Sequence, residues 1–182
     1  LVLLAGMAVI PGSLMAQSTL TARGVVKGAF KEEGKQNLEF GEMDGLTGAA
    51  SDRVIDLLDT GSDLINGNAG YVDFKLNKTG TNFSFSLPAS LSNGVSSTLA
   101  VDSWECGLEV GDGPSSVTDP GSQAGLDEYA GDCSAALVAD LSSHDGARLV
   151  RLYVGGTILA TEFQDAVADT YTGTINITIA GI

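Results

Sequence analysis

Residues 169–182 read DTYTGTINITIAGI, and this stretch decides the fold class. Tyr171, Gly173, Ile175, Ile177 and Ile179 fall on one parity; Thr172, Thr174, Asn176, Thr178 and Ala180 fall on the other. Successive side chains leave a strand on opposite faces, so period-two alternation in Ile and Thr marks a half-buried β-strand. One apolar face needs a covering layer, and the rest of the chain must supply a sheet.

The same signal recurs upstream. RLVRLYV (148–154) is strand-like, Gly155-Gly156 predicts a bulge or tight turn, and 157–161 resumes before a polar connection. Residues 135–141 form a further segment, ahead of the turn that carries His144-Asp145-Gly146. GYVDFKLN (70–77) and TNFSFSL (81–87) alternate on either side of Lys78-Thr79-Gly80 and predict neighbouring antiparallel strands. TLAVDSWEC (98–106) predicts one strand with Leu99, Val101 and Trp104 inward. RVIDLL (53–58) fits a strand or a helical face, and its shortness favours the strand. LEFG (38–41) predicts a short strand burying Leu38 and Phe40, KEEGKQN (31–37) a polar linker, and residues 17–30 a first strand. About ten short strands with turns between them, and no long helix, predict an all-β sandwich.

Composition narrows the setting. Lys and Arg number 9 against 23 Asp and Glu, a net charge of −14. Such a surface repels phosphate backbones and anionic lipid, which argues against nucleic-acid partners. Residues 1–16, LVLLAGMAVIPGSLMA, are uncharged, run apolar to Ile10 and break at Pro11-Gly12. This is the apolar and cleavage region of a secretory signal peptide, with cleavage expected after Ala16, although Leu14 departs from the small-residue preference. A basic start is lacking, which suggests a truncated leader. Ten apolar residues are too few for a span, which needs about 20. The expectation is a secreted, periplasmic or cell-surface bacterial protein, one domain over 17–182, with no span in the mature chain.

Residues 107–132 break the rhythm, with six glycines, two prolines, six acids and no base. A 26-residue loop is predicted here, and loops of that length tend to be functional. Cys106 and Cys133 bracket it and are the only cysteines. In an exported protein a single pair most simply forms a disulfide, worth about 3–4 kcal/mol through chain entropy. Calcium is the one ligand the pattern suggests, since hard cations gather several oxygens and Asp112, Asp119, Asp127, Glu128 and Asp132 share this stretch. No EF-hand spacing is present, and a solvated acidic surface is the favoured reading of these carboxylates. Trp104 and Tyr129 flank the loop and could stack on a sugar, or pack as ordinary core residues.

Catalytic motifs find no footing. His144 is the sole histidine and sits in a turn beside Ser142 and Ser143, without a G-x-S-x-G elbow. No phosphate-binding loop, dinucleotide fingerprint or H-E-x-x-H is present. The expectation is no enzyme and no cofactor beyond that calcium.

LEFG (38–41), NFSFSLPASLSNG (82–94), TLAVDSW (98–104), LYVGGTIL (152–159) and DTYTGTINITI (169–179) together resemble the domain of unknown function 4402. That family comprises secreted bacterial proteins similar in design to fimbrial subunits and spore coat protein U. The resemblance extends over nearly all of 17–182 and implies an immunoglobulin-like sandwich without enzymatic activity. Asp169 stands where the family usually has Gly, and the Cys-bracketed stretch looks like an insertion. Tyr171 is either a tyrosine corner, its hydroxyl bonding backbone across the turn, or a plain strand tyrosine. The functional expectation is a structural or adhesive subunit that associates with itself or with other surface subunits by strand addition, with 17–30 as donor. The alternative is a secreted glycan- or calcium-binding module using the Cys106–Cys133 loop.

Overall fold

The computed structural model describes residues 30–43, 51–57, 68–112, 126–142, 148–164 and 166–181. Their elements are β1 (Phe30–Gln36), β2 (Arg53–Ile55), β3 (Gly70–Leu76), β4 (Thr81–Ser86), β5 (Ser90–Ser92), β6 (Thr98–Ala100), β7 (Ser103–Gly111), β8 (Glu128–Ala130), β9 (Leu137–Ala139), β10 (Arg148–Ile158), α1 (Ala160–Phe163) and β11 (Asn176–Ala180). All pairings are antiparallel. A six-stranded sheet runs β1-β3-β10-β7-β8 with β2 also on β10, a second sheet runs β11-β4-β9, and β5-β6 form a hairpin.

The first two sheets share a core. Phe74, Leu76, Cys106, Leu108, Val150 and Leu152 from the larger meet Phe83, Leu137 and Ala139 from the smaller. The Phe74 and Phe83 rings stack at 5.8 Å between centroids. A second cluster gathers Phe40, Ile55, Leu57, Leu99, Tyr153, Ile158 and Phe163.

Several strand assignments need correction. Residues 70–77 and 81–87 are consecutive but not paired: β3 joins the larger sheet and β4 the smaller. The chain turns at Gly80, whose φ of 75° is left-handed, and crosses between layers. Alternation is the same whether two apolar faces lie side by side or face to face. Residues 31–36 belong to strand β1 rather than to a linker, their solvent-facing position accepting Lys and Glu, with a register shift between Glu32 and Gly34. Segment 98–106 divides into β6 and β7, which belong to different sheets. The loop expected over 107–132 is shorter, because residues 107–111 continue β7 and β8 pairs back through Cys106↔Ala130 to Leu108↔Glu128. LEFG forms no ladder beyond a bridge between Glu39 and Asn68, although Phe40 is buried.

The bulge expected at Gly155-Gly156 is also replaced, since β10 stays in continuous register with β7 from Leu149 to Thr157. Those glycines answer close approach instead. A Cβ on Gly155 would collide with the Ile55 carbonyl, and one on Gly156 would lie 2.7 Å from the Ser103 oxygen. In the terminal strand Ile175, Ile177 and Ile179 pack on the core while Asn176, Thr178 and Ala180 are exposed, the parity expected. Residues 17–29, Asp119 and His144 lie outside the described residues.

Candidate functional site

The larger sheet carries chemistry on the face turned away from the smaller one. Odd-numbered positions of β3, β7 and β10 share that face: Tyr71 and Asp73, Glu105 and Glu109, Arg151 and Tyr153. Asp73 and Arg151 are register partners, and the guanidinium clasps the carboxylate bidentately, Nε to Oδ1 at 2.7 Å and Nη2 to Oδ2 at 2.9 Å. Both residues are 5% exposed, so the pair is held in a low-dielectric setting. Arg151 also lies 4.0 Å from the Tyr71 ring centroid. The hydrogen bond to Asp73 outweighs burial and pushes the guanidinium further toward its charged form. Beside it the Tyr153 hydroxyl donates to Glu109 at 2.8 Å. Burial, then that bond, drives the phenol upward, so it stays protonated.

At the other end of β7, Glu105 accepts the Leu57 backbone N–H at 2.9 Å. Asp56 and Tyr129 lie beside this carboxyl. Burial, followed by the neighbouring Asp56, raises the Glu105 carboxyl above its usual range. Burial and the nearby carboxylates likewise push up the Tyr129 phenol.

Cys106 and Cys133 are bonded to each other, with Cα atoms 5.1 Å apart and both side chains buried. Four of the acids between them, all among the described residues, are occupied locally. Asp112 pairs with Arg148 at 3.0 Å, Asp127 accepts the Val110 N–H at 2.6 Å, and Glu128 accepts the Val138 N–H at 2.5 Å. Asp132 accepts both the N–H and the hydroxyl of Ser134, which hold its carboxyl below the usual range. Among the described residues no group of three or more His, Cys, Asp or Glu is arranged to hold a metal ion. Trp104 and Tyr129 are not brought together. Trp104 shares the core-facing parity of Cys106 and donates its indole N–H to the Pro88 carbonyl at 3.2 Å, whereas Tyr129 sits opposite Gly107 on the other face.

The sheet edges form the remaining feature. β9 lies against β7 and β8, and β11 forms the opposite edge of its sheet. Half-buried Ile177 and Ile179 sit opposite Phe85 and Phe83 in register, and half-exposed Phe30 meets Phe74 edge-on. The two edges differ in protection. β1 carries Lys31, Glu32, Glu33 and Lys35 and an irregular register, both of which discourage further pairing. β11 has no charge and no register shift, and its only strand partner among the described residues is β4.

Compared with protein-family models, with curated proteins and with solved structures, the chain matches none. Among the described residues no helix is long and apolar enough to cross a membrane.

Asp56, Asp73, Glu105, Glu109, Arg151 and Tyr153 escaped the sequence reading. The one available signal was a charge inside an apolar run, Asp73 in GYVDFKL and Arg151 in RLVRLYV, two opposite charges at alternate-face positions.

Proposed function

We propose that the chain is an exported, non-enzymatic structural or adhesive subunit of the bacterial cell surface. In this reading it is an immunoglobulin-like sandwich resembling the domain of unknown function 4402 that joins its neighbours by strand addition. The observation that supports it is the contrast between the two edges: β1 is charged and irregular, while β11 leaves uncharged backbone beside half-buried isoleucines. A strand laid on β11 would gain main-chain hydrogen bonds and cover that apolar strip. Residues 17–29 of a second copy suit the role, with Leu20, Ala22, Gly24, Val26 and Gly28 on one parity. The Tyr171 hydroxyl, which donates to the Val167 carbonyl at 2.8 Å, supports the immunoglobulin-like reading because it ties a corner tyrosine to backbone upstream.

The test compares the mature chain from Gln17 with a chain from Phe30, by light scattering across a concentration series. The expected result is multimers only with the segment present, and binding of a 17–29 peptide to the shorter chain. Equal oligomeric states for the two chains, with no peptide binding, would overturn the proposal.

A further inference from the structure

At three strand edges an outward backbone N–H is taken by a carboxylate rather than by another strand. β9 ends the smaller sheet, and successive N–H groups of a strand point to opposite sides. Its middle residue, Val138, turns its N–H away from β4 and donates it at 2.5 Å to Glu128 of β8, in the other sheet. On β7 the pairing with β8 stops at Leu108, and the next N–H along that edge, Val110, goes to the Asp127 carboxylate at 2.6 Å. β6, whose strand partner is β5, gives its Ala100 N–H to Glu162 of α1 at 3.1 Å. A bond from an amide to an ionised carboxylate is stronger than the amide–amide bond that an incoming strand would offer in its place. Among the described residues no side chain makes such a bond to the backbone of β11, which pairs with β4 alone.

We propose that Glu128, Asp127 and Glu162 are edge plugs: each carboxylate occupies a backbone donor that an incoming strand would need, so that an extended segment of a second copy is directed to β11 and assembly runs in single file.

The identity of the incoming segment, residues 17–29, rests on the strand-addition reading; the plugs rest on the bonds to Val138, Val110 and Ala100. β8 and β9 are edge strands of opposite sheets and lie against each other, so the Glu128 bond ties the two layers together along that side of the sandwich. The Cys106–Cys133 bond stands on the same side, fastening the residues after β8 to β7. Two acids that a calcium site would claim, Asp127 and Glu128, are thus engaged by amide N–H groups of strand edges. An open edge invites any extended chain, and a side chain that fills its donors removes the invitation. With one donor segment and one acceptor edge per chain, the contact is heterologous and repeats head to tail without branching.

The experiment adds excess synthetic peptide of residues 17–29 to the full chain, counts bound peptides by native mass spectrometry, and follows the amides of β9, β7 and β11 by hydrogen exchange. In Glu128→Ala the Val138 amide should exchange about tenfold faster than in the native chain, and one additional peptide should bind and protect it again. Glu128→Gln keeps a carbonyl acceptor for Val138 and removes the same charge, so it should bind no additional peptide. That control matters because the peptide carries Arg23 and Lys27 and no acid. In Asp127→Ala the Val110 amide should speed up likewise. An additional peptide on Glu128→Ala supports the plugs even if the native chain binds none at β11, an outcome that would sink the strand-addition reading alone. The plug proposal is overturned if Glu128→Ala binds no more peptide than the native chain, if Glu128→Gln binds as many as Glu128→Ala, or if peptide protects Val138 in the native chain.

Discussion

The two faces of the six-stranded sheet both bury side chains but hold them differently. On one, Phe74, Leu76, Leu108, Val150 and Leu152 meet the smaller sheet through apolar contact alone. On the other, Asp73, Glu109, Arg151 and Tyr153 are just as buried and engage through directed bonds. Alternate residues of the same strands supply both, so a single β10 carries Val150 and Leu152 one way and Arg151 and Tyr153 the other. Apolar packing is non-directional and degrades gradually when atoms are removed. A buried polar pair is all or nothing, because the partner left behind keeps its desolvation cost.

Substitutions along β10 can break this contrast. Arg151→Met should have the largest effect, about 3–5 kcal/mol in chemical denaturation, since it strands the Asp73 carboxylate in a dry setting. The double substitution Asp73→Leu with Arg151→Met should recover most of that loss. A double variant as unstable as the single one would mean that shape, not charge pairing, governs this face. Leu152→Ala on the apolar face should cost about 3 kcal/mol through the lost transfer energy and the cavity left behind. No second substitution on a neighbouring strand should rescue it in the same way. Tyr153→Phe should have the smallest effect, about 1 kcal/mol, by removing one donor from Glu109 while keeping the ring. A loss equal to that of Arg151→Met would instead join Glu109 and Asp73 into one cooperative network, which a double-mutant cycle would measure.

Much of the strand content was legible because side-chain alternation is a local property. GYVDFKLN, TNFSFSL and the terminal TINITIA each state their period without reference to a partner, and RLVRLYV reads as an apolar, strand-like run. KEEGKQN was illegible as a strand because an edge exposed on both faces has no apolar face to reveal it. The close of the 107–132 loop was illegible because β8 spans only Glu128–Ala130, too few residues to establish a period. Of the candidate site, the Cys106–Cys133 bond was legible from the two cysteines and the expectation of export. The polar face was not, since Asp73 and Arg151 are far apart in the chain and meet only through the β3–β10 register.

The sequence by itself therefore determined that the longer apolar segments extend, which parity is apolar where they alternate, and which two cysteines bond. Tertiary structure alone decided which sheet each strand joins, since period two specifies a face and never a neighbour. That choice sent β3 and β4 to opposite layers. It also brought Asp73 beside Arg151 and carried Leu57 across Gly155 to Glu105, contacts that exist only once the strands are in register.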